Sequence, residues 1–489
     1  MALGEQTMTS PEDTKPATGE VAQFLQQVRN ASPSIPIDTD PESRRSHSKD
    51  RWPEAGKWSR SEQERHLPAA VVRPSTVDEV SAVLRSASAA GISVVPFGAG
   101  SGVVGGVVND GVFVSLDLGG LAGSPVFDDE RGEVTAGAGM LAAELEAALN
   151  ARGRRIPHYP QSLGLASVGG LVATRSSGTF SSKYGSIEDL LVALEVVLAD
   201  GTVLRTRAVP RSSTGPALAQ LFVGSEGTLG VITAVTLRTF PLAESTRFRG
   251  IAFDELADGL AAVRTILDAG IRPAVIRLYD AEEAAHLYER CGVQGEGRAL
   301  LILGYDGNQA VVIAEVTTSL AITAAHRGVD LGAGPGDTWE RTRFDASWLD
   351  CGNAGETKIA DAIDVSAAWP ALHGLHGKVL AAMHPYVDSA YAHYSHFYPN
   401  GGAIYFIFFT TGVDREDVLD QYRQTWDAAL RTVLEAGGSI SHHHGVGEVR
   451  KRWMAEEHGT GLHVLDAIKT ALDPLGVLSP GKLGSGRSK

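Results

Sequence analysis

A glycine-rich loop between Val95 and Gly106 constrains the fold of this chain more than any other feature. The loop, VPFGAGSGVVGG, contains five glycines and follows a short strand (AVV), a helix that starts near Thr76, and a second strand (SVVPF). A strand that ends in a glycine loop presents backbone N–H groups with no Cβ in the way, and such a concave surface suits a diphosphate. No Gly-Lys-Ser/Thr follows, and the spacing is not that of a Rossmann motif. One such loop also fits an ordinary tight turn, so other segments must decide.

Size and charge limit the class of protein. The chain has 489 residues, which exceeds a single typical core and predicts two domains and a tail. Its formal net charge of -15 argues against nonspecific nucleic-acid binding. Only Cys291 and Cys351 occur, without a metal or redox motif, and neither a membrane-spanning run nor a signal peptide is recognisable. We expect a soluble cytoplasmic protein.

The alternation of strand and helix patterns predicts an α+β fold. Residues 1–40 are polar and weakly patterned around VAQFLQQV, so we expect a partly disordered extension. GEVTAGAGML, LASVGGLVATRSSGT, LLVALEVVLADGTVLRT and GTLGVITAVTLRTFP are predicted as strands or hairpins, with LAAELEAALNARG as a helix. After Pro241, amphipathic helices such as FDELADGLAAVRTILDAG alternate with apolar strands such as GAIYFIFFTTG, which indicates a separate substrate domain.

Three adjacent histidines lie near the C-terminus, in GGSISHHHGVGEVRKRW. In an extended segment His442 and His444 share one face and His443 points the other way, so a metal site would need ligands from elsewhere. Imidazoles suit proton transfer near physiological pH. The basic run Arg450–Lys451–Arg452 fits a solvated face or a site that attracts an anionic substrate, and the sequence leaves this open.

Seven motifs, taken together, resemble one family. They are PHYPQS, VGGLVATRSSG, YGSIEDL, RSSTGP, GSEGTLGVIT, AIYF and SHHHGVGEVRKRW, within residues 65–485. They resemble the vanillyl-alcohol oxidase or PCMH-type flavoproteins, and in detail the alkyldihydroxyacetonephosphate synthases. The resemblance implies a two-subdomain PCMH-type FAD-binding domain over residues 41–243. It also implies a cap domain over 244–440, with an antiparallel sheet flanked by helices, and a C-terminal segment, 441–489, that returns to the flavin.

The resemblance also implies which residues bind FAD. The diphosphate loop would comprise Pro96, Phe97, Gly98, Ala99, Gly100, Ser101 and Gly102. The flavin and ribityl chain would lie along Pro160, Ser162, Ser167, Gly169, Gly170, Thr174, Ser177 and Gly178, and the ring system or the adenine end near Glu226, Gly227 and Ile232. Neither His nor Cys occurs between Val95 and Gly106, so we expect the FAD to be non-covalent.

By the same resemblance, Tyr405, His442, His443 and His444 are the expected catalytic residues, with no metal. Arg277 is the candidate for binding substrate, and Arg341 and Arg343 are weaker ones. Tyr405 would also fit a core packing position, and His443 a support for its loop.

Two reactions fit the resemblance. A synthase would exchange the acyl group of acyl-dihydroxyacetone phosphate for a fatty alcohol through a flavin N5 adduct. The alternative is an FAD-dependent dehydrogenase or oxidase of a small D-2-hydroxy acid or alcohol. We expect a small-molecule or lipid substrate and a homodimer, and peripheral membrane contact stays open.

Overall fold

The computed structural model describes residues 18–295 and 297–484, and its N-terminal part is built around a four-stranded sheet. The sheet order is β1-β2-β4-β3, with β2, β4 and β3 parallel and β1 antiparallel to β2. The elements of this part are α1 (Thr18–Ala31), β1 (Ile37–Asp38), α2 (Pro41–Ser46), α3 (Pro53–Gly56), α4 (Arg60–Arg65), β2 (Ala70–Val72), α5 (Val77–Ala90), β3 (Ser93–Phe97) and β4 (Phe113–Asp117). The predicted strand–helix–strand unit before the glycine loop is confirmed.

The predicted N-terminal extension is ordered over much of its length. Helix α1 buries Phe24, Leu25 and Val28 in the core of the first sheet, where β1 then adds an edge strand. Their i, i+1, i+4 spacing gives the helix an apolar stripe, and burial of that stripe stabilises a segment that polar composition alone would leave unfolded. Residues 18–40 are therefore ordered and include the expected helical stretch VAQFLQQV within α1, and residues 1–17 lie outside the described residues.

A second, five-stranded antiparallel sheet follows, in the order β5-β6-β10-β8-β9. Its part of the chain comprises β5 (Val126–Asp128), β6 (Glu133–Gly137), α6 (Ala142–Asn150), β7 (Arg154–Arg155), α7 (Val168–Ala173), α8 (Ser181–Tyr184), α9 (Ile187–Leu190), β8 (Leu191–Val197), β9 (Val203–Arg205), β10 (Val231–Arg238) and β11 (Phe240–Pro241). LASVGGLVATRSSGT, predicted as strand, contains helix α7 instead. Ser167 caps this helix by accepting from the Gly170 N–H, and Gly169 lets it pack closely on Ala138.

The largest sheet has seven antiparallel strands in the order β15-β12-β14-β13-β17-β18-β16, with helices packed against it. The elements are β12 (Ser245–Phe253), α10 (Leu256–Asp268), β13 (Val275–Tyr279), α11 (Ala281–Cys291), β14 (Ala299–Gly307), α12 (Gln309–Ala325), β15 (Val329–Asp330), α13 (Gly334–Thr342), α14 (Ser347–Gly352), β16 (Lys358–Ala368), α15 (Trp369–Met383), β17 (Ser389–Tyr398), β18 (Gly401–Thr411) and α16 (Arg415–Glu435). Two sheets near the N-terminus and a large antiparallel one behind them confirm the predicted α+β class.

The C-terminal part runs from the large sheet back to the glycine loop. Its helices are α17 (Gly447–Arg450), α18 (Met454–His458) and α19 (Gly461–Leu472). The Glu448 N–H donates to the carbonyl of Val104 at 2.8 Å, and Leu478 pairs with Val94 beside β3. The histidine segment is therefore tied to the strand and loop near residue 100. Among the described residues, no helix has the length and apolarity needed to cross a bilayer.

Candidate active site

The first half of the glycine loop has backbone N–H groups free for a ligand. Within the described residues, no N–H of residues 99–104 donates a hydrogen bond to the protein. Gly100 has a φ of +62°, which a residue with a Cβ rarely adopts, and it turns the chain directly after β3. A run of unpartnered N–H groups in such a turn attracts an anion. These residues fit the diphosphate of FAD.

The predicted cofactor segments meet at this loop. A Cβ on Gly98 would lie 2.4 Å from the Ser167 hydroxyl oxygen, so the loop contacts the start of α7 directly. Gly227, with a φ of +74°, packs against Pro96 in the same way. Gly102 packs on the Asp50 carboxylate, whose Oδ2 also accepts from the Gly106 N–H. Gly102 and Gly106 thus also tie the loop to Asp50.

The remaining predicted cofactor residues form the turns around α7. Pro160 and Ser162 supply the carbonyls of a turn that leads into the helix, and the Thr174 hydroxyl donates to the Gly170 carbonyl at its end. The Ser177 hydroxyl lies 2.6 Å from that of Ser186, and Gly178 packs on the Tyr159 backbone. Ile232 is buried in β10 and Phe97 at the end of β3.

Glu226 holds the histidine segment and contacts it through both carboxylate oxygens. Oε1 accepts from the Val446 N–H at 2.6 Å and Oε2 from the Gly447 N–H at 3.0 Å. Burial raises the pKa of Glu226, while these two N–H groups lower it. Glu226 therefore fixes the turn that follows His444.

A row of polar side chains crosses four neighbouring strands of the large sheet. Tyr279 on β13 pairs in register with His393 on β17. His393 in turn lies opposite Tyr405 on β18, which lies opposite Asp364 on β16. Residues directly opposite in a sheet share a face, so the four side chains form one line. The ring centroids of His393 and Tyr405 are 5.2 Å apart.

Asp364 holds the three histidines in place through their backbone. Its Oδ2 accepts from the N–H groups of His442, His443 and His444 at 2.8, 2.6 and 3.1 Å. Its Oδ1 accepts from Arg450, which is fully buried and also donates to the carbonyls of Ile440 and Gly445. Burial opposes ionisation, but the charges of His444 and Arg450 keep the pKa of Asp364 well below its usual value. Arg450 is therefore a buried counterion, neither a solvated residue nor a substrate ligand.

His396, His442 and His443 are largely enclosed and neutral near neutral pH. Burial and the neighbouring His443 lower the pKa of His442 to about 3, and burial holds the pKa values of His443 and His396 well below the usual range. The Nε2 of His442 pairs with the Tyr398 hydroxyl at 2.7 Å, and the Nδ1 atoms of His442 and His443 are 2.8 Å apart. Neutral imidazoles can accept a proton from a substrate.

Within the described residues, His396, His442 and His443 also have ligand atoms within 4.8 Å of one another. In the structure, however, the Nε2 of His396 is 2.9 Å from the Gly178 carbonyl, and the His442 nitrogens are paired as described. The histidines therefore form a hydrogen-bonded network, and it extends to the predicted flavin-side residue Gly178.

Tyr405 faces this network. Its ring centroid lies 6.2 Å from that of His443 and 5.5 Å from that of His444. Burial and then the Asp364 carboxylate raise the pKa of Tyr405, so the side chain stays a phenol at neutral pH. The structure thus brings together the four side chains predicted to be catalytic.

Two arginines lie buried near the end of this row. Within the described residues, the Nε atom of Arg277 is buried and makes no hydrogen bond, whereas that of Arg343 lies 3.2 Å from Oε2 of Glu340 in an ion pair. Arg343 is surrounded by the rings of Tyr159, Phe180, Trp339 and Phe344, with its carbon Cζ 4.4 to 5.9 Å from their centroids.

The two guanidinium groups also influence each other. Burial lowers the pKa of Arg343, the Glu340 carboxylate opposes this shift, and the charge of Arg277 adds to it. Two cations held close together in a buried region favour the binding of an anion between them. Arg341, the third candidate, is exposed and donates to Thr338 on its own helix.

Four residues of this site were missed from the sequence: Asp364, His393, His396 and Tyr398. The stretch AHYSHFY before the predicted Tyr405 strand carried a signal, because a histidine-rich strand next to a catalytic strand places its side chains in the same site. Asp364 had no signal, because its strand also carries Asp361 and nothing in the sequence distinguishes the two carboxylates.

The low pKa of His442 predicts a change in how stability depends on pH. The unfolded chain binds a proton at His442 below about pH 6.5, and the folded chain does so only near pH 3, so this residue makes stability fall as the pH is lowered through that window. We expect His442→Gln to reduce the loss of unfolding free energy between pH 7 and pH 5 by about 2 kcal/mol. Denaturant unfolding at the two pH values measures this loss.

The exposed His458 provides the control, and His458→Gln is expected to follow the wild-type pH dependence. A wild-type pH dependence in His442→Gln as well would contradict a neutral, enclosed His442.

Comparison with known proteins identifies the family. Residues 68–207 match the FAD binding domain model, and residues 242–483 match the C-terminal domain model of FAD linked oxidases. The chain is 33% identical over 442 residues to the uncharacterized FAD-linked oxidoreductase YgcU of Escherichia coli (strain K12), covering 85% of this chain and 89% of that protein. The chain belongs to the FAD-linked oxidase family. Its cofactor is therefore FAD, as predicted.

Other known proteins are similar to this chain at lower sequence identity. Alkyldihydroxyacetonephosphate synthase of Caenorhabditis elegans is 28% identical over 85% of this chain and 76% of its own length. A solved alkyldihydroxyacetonephosphate synthase superimposes with a TM-score of 0.75 at 23% identity, over 94% of this chain and 85% of that one. p-Cresol methylhydroxylase also gives a TM-score of 0.75, at 16% identity over 96% and 98% of the two chains. The predicted PCMH-type fold is confirmed.

Proposed function

We propose that this FAD enzyme exchanges the acyl group of acyl-dihydroxyacetone phosphate, or of a similar phosphate-bearing acyl ester, for a fatty alcohol. The observation that carries the proposal is the pair of buried arginines, Arg277 and Arg343, at the end of the row that contains Tyr405. Arg277 contacts a histidine instead of a carboxylate, so its charge stays available. A phosphate monoester supplies the oxygens that two guanidinium groups prefer.

Side chains of the site can carry out the proton transfers that this exchange requires. FAD, when bound, supplies a site that can take up and return an electron pair. The neutral His443 can take a proton from the substrate carbon next to the ketone and return it to that carbon after the exchange, while the proton of the incoming alcohol leaves with the released fatty acid. The phenol of Tyr405 can donate a hydrogen bond to the carboxylate that leaves. The fatty acid departs with its ester oxygen and the alcohol oxygen takes its place, so no net oxidation occurs.

The relatives support this reaction and one alternative. Synthases from Caenorhabditis elegans and Dictyostelium discoideum are 28% and 29% identical to the chain. The glycolate oxidase subunit GlcD of Bacillus subtilis, at 24%, and D-lactate dehydrogenase of Anaerostipes hadrus, at 27%, suggest oxidation of a 2-hydroxy acid. A neutral imidazole beside two arginines would also suit that substrate, because the imidazole can remove the hydroxyl proton and the arginines can hold the carboxylate.

The visible spectrum of the anaerobic holoenzyme distinguishes the two reactions. We expect acyl-dihydroxyacetone phosphate to bleach the flavin with release of fatty acid, and a fatty alcohol to restore the colour with formation of an ether product. Lasting bleaching by D-lactate or glycolate, with no response to the acyl ester, would replace the synthase proposal with the dehydrogenase.

Variants on one helix and the loop after it test the arginine site. Arg343→Met is expected to raise KM for the phosphate substrate about 10- to 100-fold, because it removes charged hydrogen bonds to the anion. Arg341→Met removes an exposed arginine two residues away and should leave KM unchanged. Equal effects of the two changes would contradict an anion site at Arg343.

A further inference from the structure

His393 connects a glutamate to the substrate arginine. Its Nδ1 lies 2.9 and 2.8 Å from the two carboxylate oxygens of Glu283, and its Nε2 is hydrogen-bonded to the guanidinium of Arg277. Glu283 comes from the first turn of α11, which Asp280 caps by accepting from the Glu283 N–H. The side chain of His393 is 3% exposed, so both of its hydrogen bonds lie in the protein interior.

The chemistry of the three groups allows one arrangement of protons. A guanidinium has only N–H donors, so the Nε2 of His393 must be the unprotonated nitrogen that accepts from Arg277. The proton of the neutral ring then lies on Nδ1 and is donated to Glu283. This holds whether Glu283 is ionised or protonated, because a carboxyl group keeps an acceptor oxygen in either state. Glu283 thereby fixes the tautomer of His393, and the unprotonated Nε2 of that tautomer orients the guanidinium of Arg277.

An interposed histidine has a different effect from a direct ion pair. A carboxylate in contact with Arg277 would neutralise its charge, whereas a neutral imidazole orients the guanidinium and leaves its charge uncompensated. The Nε of Arg277 is buried without a partner, and its guanidinium carbon lies 5.7 Å from the Trp339 ring, beside Arg343. Within the described residues, the guanidinium of Arg277 thus keeps an unused donor, and it lies over the same Trp339 ring as the guanidinium of Arg343.

We infer that the Glu283–His393 pair is a positioning device that holds Arg277 ready for an oxyanion of the substrate, a phosphate monoester or a carboxylate. This inference rests on the proposed anionic substrate and names residues that act through Arg277 without touching the substrate. Loss of His393 would leave Arg277 free to turn away, which weakens substrate binding more than the later chemistry.

The test compares three variants of the FAD-loaded protein. His393→Leu removes both contacts, while His393→Gln keeps an acceptor near the position of Nε2. His376→Leu is the matched control, because His376 also pairs with a carboxylate, that of Asp280 at 3.1 Å, and within the described residues makes no hydrogen bond with Arg277. Calorimetry measures the binding of inorganic phosphate and, separately, of acetate, and steady-state kinetics separates KM from kcat.

We expect His393→Leu to weaken the preferred anion and raise KM about 10- to 100-fold with kcat within threefold of wild type. His393→Gln should recover most of the affinity, and His376→Leu should match wild type. Unchanged affinity in His393→Leu, or an equal loss in His376→Leu, would overturn the positioning inference and leave the anion site standing. Failure of the wild-type protein to bind either anion would overturn the proposed substrate class and this inference with it.

Discussion

Tyr405→Phe is expected to lower kcat by about 10²- to 10⁴-fold while the protein keeps its full complement of FAD. The phenol is the group that faces the histidine network from β18, and its raised pKa keeps the proton on the oxygen at neutral pH. Removal of one oxygen atom leaves the ring and its packing in place, so the change is confined to proton transfer and hydrogen bonding. Turnover under saturating substrate measures the loss, and flavin absorbance measures the cofactor content.

Tyr394→Phe provides the control for the loss of a buried tyrosine hydroxyl in the same sheet. Tyr394 is fully buried on β17 and donates weakly to the Leu372 carbonyl at 3.4 Å, on the side of the sheet that packs against α15. We expect normal turnover in this variant. Turnover of Tyr405→Phe within threefold of wild type would show that Tyr405 is a packing residue.

Features encoded within a short stretch of sequence were predictable. The loop from Val95 to Gly106 follows a strand as expected, because glycine spacing and strand pattern are both local. The approach of His443 and His444 to Tyr405 was also expected, although those residues lie far apart in the chain. That expectation came from resemblance to a family and not from the physical properties of the segments.

Features that depend on distant partners were not predictable. Arg450 had the composition of a solvated basic run, and its burial depends on Asp364, which lies 86 positions earlier. α7 was predicted as a strand because its apolar residues and glycines fit either element, and the close packing of Gly169 on Ala138 favours the helix. The two hydrogen bonds from Glu226 to the backbone of the histidine segment also join residues 220 and 221 positions apart.

Strand register explains why the missed residues belong to the site. His393, Tyr405 and Asp364 occupy one row because β17, β18 and β16 pair without a slip at these positions. A shift of one residue would turn each side chain to the opposite face. Register is a property of the assembled sheet, so sequence patterns that identify each strand do not reveal which residues become neighbours.

Asp364→Asn is expected to lower the free energy of unfolding by about 3 to 5 kcal/mol, the usual cost of breaking a buried ion pair by removing one partner. The Asn oxygen could still accept from the histidine N–H groups, but its NH₂ group would then face Arg450, a second donor. Arg450 would remain buried and charged without its counterion. We also expect turnover to fall, because the same carboxylate sets the course of the backbone at His442, His443 and His444. Urea unfolding and turnover of the FAD-loaded protein measure the two effects.

Asp361 on the same strand is the matched control. It is also buried, but it accepts from the Tyr422 hydroxyl at 2.7 Å, and among the described residues no cation forms a hydrogen bond with it; burial raises its pKa to about 6. Asp361→Asn should therefore cost about 1 kcal/mol, the scale of one neutral hydrogen bond.

The stabilisation from Asp364 is complete above the unfolded pKa of about 3.9 and is lost as the pH falls towards its lower folded pKa. The difference between wild type and Asp364→Asn should thus be constant from pH 5 to pH 8 and shrink below pH 4. A cost no larger than that of Asp361→Asn would mean that Asp364 does not hold the histidine segment.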